Sequence, residues 1–168
     1  GDFKVGSSYS QKGKKFSPKV DLNYVETGYA SWYGPGFHGQ KTANGVEYDQ
    51  NDYTAAHQTL PLPSVVRVIN LENKKSVVVV VNDRGPFSNT HGHKRRIIDV
   101  SKKAAKELGM INKGVAKVKV EYLHEETTKL ISYMPDQHKN KAYAMFKKAK
   151  GPTCKVKSND ISTIENKG

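Results

Sequence analysis

Residues 65–83 read VVRVINLENKKSVVVVVND. Two β-branched runs, 65–71 and 76–82, flank the polar tetrad Glu72-Asn73-Lys74-Lys75. Runs of this length bounded by a turn signal predict a β-hairpin. Five consecutive valines, Val77 to Val81, leave no polar face, so that strand is expected to be buried on both sides, or nearly so. Asp83 ends the run and opens Asp83-Arg84-Gly85-Pro86-Phe87. A carboxylate at the end of a rigid strand, backed by Gly and Pro, is well placed for general acid–base work. The alternative is a turn-capping Asp paired with Arg84.

Working outward, Ala30 and Trp32 alternate with Ser31 and Tyr33 as a short half-buried strand, and Gly34, Pro35, Gly36 and Gly39 then force a loop. Residues 96–100 (RIIDV) read as another strand. Ser101 is an N-cap for a short helix over 102–108, with Gly109 at its C-terminal end. Residues 115–123 (VAKVKVEYL) alternate, with Val118, Val120 and Tyr122 on one face and Lys117, Lys119 and Glu121 on the other. Many short strands and one helix in this stretch predict a small β-barrel over 28–123. Residues 1–27, rich in Lys, Ser and Gly, read as a flexible linker. Residues 124–168 read as a basic C-terminal extension with a short amphipathic helix over 141–150 and a mobile end.

Composition limits the function. The 168 residues carry 28 Lys and Arg against 16 Asp and Glu, a net charge of +12. That charge divides as +2, +6 and +4 over 1–27, 28–123 and 124–168, a spread that argues against a nucleic-acid arm. No run approaches the roughly 18 apolar residues of a membrane span. The single Cys154 excludes an intramolecular disulfide framework and a cysteine zinc cluster. There is no P-loop and no G-x-S-x-G. His91 and His93 make an incomplete metal site, so neither metal nor cofactor is expected. The opening GDFKVGSSYSQKGKK carries no signal peptide and reads as a mature or truncated start.

Other polar groups join Asp83 as candidates. His57 follows Thr54-Ala55-Ala56, a setting that suits a satisfied core histidine as well as a ligand. Asp99, inside RIIDV, reads as an Arg partner or a backbone cap. Glu47 and Asp49 lie after Gly45, facing either a cleft or solvent. Trp32, Tyr33, Phe37, His38 and Tyr48 cluster around glycine-rich loops, where aromatics suit stacking on sugars or bases, core packing being the alternative for Trp32 and Phe37.

Four ordered blocks now stand out: GYASWYGPGFHGQKTANG (28–45), YTAAHQTLPLPSVVRVINL (53–71), VVVVVNDRGPF (77–87) and RIIDVSKKAAKELG (96–109). Together they resemble the rare lipoprotein A family. The resemblance implies a mainly β fold: a six-stranded double-psi β-barrel with one or two short helices and terminal extensions. It implies endolytic cleavage of peptidoglycan glycan strands, preferably peptide-stripped, by lytic transglycosylation to 1,6-anhydro-N-acetylmuramic ends. It places the protein in the bacterial cell envelope, in the periplasm or on a lipid anchor, with glycan strands as partner; a monomer and no nucleic acid are expected. The family's catalytic Asp falls on Asp83 and its supporting His on His57. Asp83 is expected to act alone, first as acid and then as base, and His57 to orient it or polarise the cleft. Trp32, Tyr33, Tyr48, Asn82 and Arg84 are the expected substrate contacts. Three features depart from the family. Val46 stands where the family commonly has a functional Glu, leaving Glu47, one residue late, as the substitute. The loop over 88–95 is longer, and no peptidoglycan-binding repeat follows the barrel. A wall-glycan-binding protein that does not cut, like the expansins, is the rival reading; a nucleic-acid binder is a more distant one.

Overall fold

The computed structural model describes residues 3–87 and 94–135, together with Tyr143 and Phe146. Eight strands and two helices follow one another: β1 (Tyr9–Gln11), β2 (Lys14–Phe16), β3 (Val25–Trp32), β4 (Thr54–His57), β5 (Ser64–Asn70), β6 (Ser76–Asp83), β7 (Arg96–Val100), α1 (Lys102–Glu107), β8 (Val115–Tyr122) and α2 (His124–Ser132). Six strands close a barrel in the order β3-β7-β4-β6-β5-β8. The pairs β3/β7 and β4/β6 are parallel and the other four antiparallel. Closure leaves no unpaired sheet edge.

The valine strand behaves as its composition requires. Val77, Val79 and Val81 enter the main core with Val66, Val68, Ile98, Val118 and Val120. Val78 and Val80 face outward, and with Val65 and Leu123 they form a second cluster under Leu130 of α2. Each buried Val or Ile contributes roughly 1.5–3 kcal/mol of burial free energy. Thr127 fixes α2 to the barrel: its Oγ1 accepts from Val65 N (2.8 Å) and donates to Leu123 O (2.7 Å). Ser101 caps α1 as expected, accepting from Ala104 N at 3.2 Å. The β5–β6 turn closes the other end of α1, where Asn70 and Asn73 both donate to Leu108 O.

The strand β4 and the helix α2 are absent from the sequence reading. Thr54–His57 is short and buried throughout, so it shows no alternation. The linker expected over 1–27 is also corrected. Residues 3–24 lie against the barrel. Phe3 is fully buried and packs on Tyr143 and Phe146. Lys4 bridges Leu62, and β1 and β2 form a hairpin whose Tyr9 and Phe16 stack on each other and meet Phe87 edge-on and tilted, respectively. A few aromatic anchors outweigh the loop-forming composition of this segment. The helix expected over 141–150 lies outside the described residues except for buried Tyr143 and Phe146; the loop 88–93, with His91 and His93, and Cys154 also lie outside them.

Candidate active site

One register irregularity creates the site. Along the β4/β6 pair, Val81 is opposite Ala55, but Asp83, not Asn82, is opposite Ala56. The extra residue is a β-bulge, a feature that re-aims side chains. Without it, Asp83 would follow Val79 and Val81 into the barrel interior. With it, Asp83 joins the outward row of Ala56, whose partner on β7 is Asp99 and, beyond that, Ser31 on β3. Asp83, Ala56 and Asp99 thus share one face and line a groove of about 550 Å³.

Asp83 is held by three donors. Its Oδ1 accepts from the main-chain N of Ala43 (2.8 Å) and of Arg84 (2.9 Å). Its Oδ2 accepts from the Tyr33 hydroxyl at 2.9 Å. The Ala43 donor comes from the turn 42–45, which Gly45 closes at φ +79° by donating its N–H to Thr42 O. A main-chain group carries no side-chain signal, which is why sequence reading misses it. Tyr33 is buried, leans on Tyr48 (centroids 4.4 Å apart) and holds its proton more tightly than a free tyrosine, through burial and the neighbouring Asp83.

Asp99 is the residue that sequence reading undervalued. It accepts from Ser31 Oγ at 3.2 Å, and Arg96 in turn donates to Ser31 Oγ at 2.9 Å. Burial pushes its carboxyl up to about 6 despite that hydrogen bond. The signal was a lone acid in an otherwise apolar strand, Arg96-Ile97-Ile98-Asp99-Val100.

The remaining expected residues divide. Trp32, Tyr33, Tyr48 and Arg84 line the groove, with Phe37 at 49% exposure. The Arg84 guanidinium, however, is committed to main-chain carbonyls: Leu60 O at 2.5 Å, Val5 O at 2.8 Å and His57 O at 3.4 Å. Asn82 is buried, is not among the groove-lining residues, and uses its carbonyl to accept from Asn44 N. Glu47 is exposed, bridges Lys41 through the main chain and is not among the lining residues, so its geometry gives no support to a substitute role. His57 does not touch Asp83. Its Nδ1 accepts from Thr59 N and Leu60 N, so the proton sits on Nε2, which donates to Tyr24 Oη at 2.7 Å. Tyr24 then donates to Glu26, which pairs with Arg95. Burial, then the cations Arg84 and Arg95, depress the imidazole to about 3, so it is neutral at ordinary pH. Among the described residues no group of three His, Cys, Asp or Glu could hold a metal ion.

A closed six-stranded barrel with two parallel pairs and an acid-bearing groove on its flank is a double-psi β-barrel. Residues 25–120 match the family described as lytic transglycolase. An endolytic peptidoglycan transglycosylase RlpA of Rickettsia bellii is 50% identical over 96% of this chain and 70% of its own length. Proteins of the same name from Rickettsia felis (54%; 78% of this chain, 57% of that one) and Neisseria meningitidis (56%; 69% and 47%) are also similar. The chain therefore belongs to the RlpA family of lytic transglycolases. It spans about half to 70% of these relatives' lengths. Among solved structures it is similar to a Streptomyces papain inhibitor (TM-score 0.48, 21% identity, covering 62% of this chain and 98% of that one).

Proposed function

We propose that the protein is an endolytic peptidoglycan transglycosylase of the bacterial cell envelope, cutting between N-acetylmuramic acid and N-acetylglucosamine. The observation that carries this is Asp83, turned into the groove by the bulge and held there by Ala43 N, Arg84 N and Tyr33 Oη. The names of the relatives support it.

The chemistry needs two proton movements. One proton goes to the glycosidic oxygen as its bond to muramic C1 breaks. The muramic C6 oxygen bonds to C1 and gives up its own proton, closing a 1,6-anhydro ring without water. Assistance of this kind is worth roughly 10²–10⁴-fold. Asp83 suits the second movement, because its two main-chain N–H partners can only donate. Peptide-poor strands are the preferred substrate: they expose the lactyl carboxylates of muramic acid, and Lys12, Lys41 and Arg96 stand along the groove. Trp32 and Phe37 offer faces for sugar rings.

The test is digestion of peptide-free glycan strands with products read by mass spectrometry. The wild type releases 1,6-anhydro-muramic ends. Asp83→Asn keeps the shape of the site and loses the activity by about 10³-fold or more. Intact strands that still co-sediment with the wild type would instead mark a wall-binding barrel, the outcome that Val46 and the outward Glu47 favour.

A further inference from the structure

The proposed reaction leaves its first proton without a well-placed donor. Asp83 accepts three hydrogen bonds, so both of its oxygens serve as acceptors. The groove contains a second carboxyl in a contrasting setting. Asp99 sits across Ala56 from Asp83, on the same outward row, with the two Cα atoms two strand spacings apart, roughly 9–10 Å. It takes a hydrogen bond from one side chain, Ser31, and lines the same groove. We propose that Asp99 is the proton donor of the cleavage and Asp83 the acceptor, the two acting on one glycosidic linkage laid along the groove they share. This rests on the transglycosylase reading above.

Ala56 gives the arrangement its purpose. It is buried, with 1% exposure, beneath Tyr33 and Tyr48, and its small methyl lets Tyr33 settle where its hydroxyl reaches Asp83. No water enters: the C6 hydroxyl of the muramic residue lies on the same β face as the leaving O4, so C1 passes through an oxocarbenium-like state and is captured on the face it has just lost. The balance closes: the Asp99 proton goes to the leaving O4, the C6 proton goes to Asp83, and the C1–O4 bond is replaced by C1–O6. Proton exchange with solvent then resets both acids. The charged groups around Asp99 are Asp83 on β6, Arg96 on its own strand, and the hydroxyls of Tyr33 and Tyr48. Burial is the largest influence and keeps the Asp99 proton available up to about pH 6, and the Asp83 charge acts in the same direction.

Two substrates separate the roles: peptide-free glycan strands, whose alcohol leaving group needs a proton, and a nitrophenyl glycoside of the GlcNAc–MurNAc disaccharide, whose phenolate does not. Asp99→Asn is expected to lose about 10²-fold or more on strands. It should remain within about tenfold of wild type on the nitrophenyl substrate, still releasing the anhydro sugar, and lose the alkaline fall in kcat/KM. Asp83→Asn is expected to fail on both. A second variant, Ser31→Ala, removes the hydrogen bond that favours ionised Asp99 and should move the alkaline limb of wild-type cleavage to higher pH. Equal losses by Asp99→Asn on both substrates, or full activity on strands, overturn the assignment of the donor. Absence of anhydro product from the wild type on either substrate overturns the transglycosylase reading as well, so the two failures are told apart.

Discussion

Ala56 and His57 are neighbours on β4, and the two faces they serve are built on opposite principles. The Ala56 face carries Asp83 and Asp99 in an open groove. The His57 face is closed: the imidazole is 3% exposed, lies opposite Ile98, and spends both ring nitrogens on fixed partners. One face leaves carboxyl groups within reach of a substrate. The other satisfies every polar atom of its histidine, the usual condition for burying such a group. A strand alternates its side chains with period two, so a shift of one residue separates chemistry from support.

The faces are nevertheless connected, and the connection gives His57 a role. The loop after β4 takes two hydrogen bonds to His57 Nδ1, and its Leu60 carbonyl holds the Arg84 guanidinium. Arg84 N in turn holds Asp83. His57 thus reaches Asp83 only through the 58–60 loop and Arg84, and in the proposed reaction it would act as a positioning residue. The largest effect expected on this face is in stability. His57→Ala strands Thr59 N and Leu60 N, removes one of the Tyr24 hydroxyl's two partners and leaves a cavity, at a cost of about 3–5 kcal/mol. Urea unfolding measures it. In the cold, where the variant stays folded, its kcat should fall less than that of Asp83→Asn. An equal fall would move His57 to the chemical face and break the comparison.

The pH dependence of stability sharpens the same contrast, because the two faces carry opposite signs. Above pH 6.5 His57 is neutral in both the folded and unfolded chain. Below it the unfolded chain binds a proton that the folded one refuses until about pH 3, so stability falls on acidification by up to about 1.4 kcal/mol per pH unit. Asp99 works the other way. Below pH 3.8 it is protonated in both states; as pH rises towards about 6 the unfolded chain loses the proton first, and stability falls. Asp99→Asn removes that penalty and is expected to stabilise the fold by about 1–3 kcal/mol at pH 7, read as a raised Tm. A variant that lost activity and stability together would show Asp99 to be structural.

Much of this was legible in the sequence, for reasons that also explain what was not. The hairpin 65–83 was readable because five valines admit one interpretation, burial on both faces, and α2 supplies the outer cover. α1 was readable from Ser101 and Gly109. Asp83 stood out as an acid after an apolar strand, but its direction did not: period two sends it inward, and the bulge at Asn82 is a property of the paired strands, not of either one. The setting of Glu47 was not legible either, because it depends on its loop pairing back on Lys41, which leaves the residue exposed. The family resemblance gave His57 the task of orienting Asp83 or polarising the cleft, whereas its ring faces Tyr24. The N-terminal segment misled because its composition is that of a linker, whereas its docking depends on Phe3, Tyr9 and Phe16 meeting distant aromatics.

That segment also crosses between the two faces, which yields the smallest expected effect. It is fastened on the His57 side, where Tyr9 Oη donates to Gln58 O, Lys19 N to Thr59 O and Arg84 to Val5 O. Its hairpin tip then delivers Lys12 to the groove beside Asp83. Lys12 is exposed, so its attraction for a muramic carboxylate is screened and worth about 0.2–1 kcal/mol. Lys12→Ala should raise KM for peptide-free strands by roughly two- to fivefold and leave kcat unchanged, because a uniform binding contribution is lost. The difference should vanish near 1 M salt, where the Debye length falls to about 3 Å. It should also vanish on strands whose lactyl carboxylates are amidated. A KM effect that survived both treatments would mean that Lys12 acts by holding the hairpin in place, and the groove would then owe its shape, rather than its charge, to the segment anchored on the far side of β4.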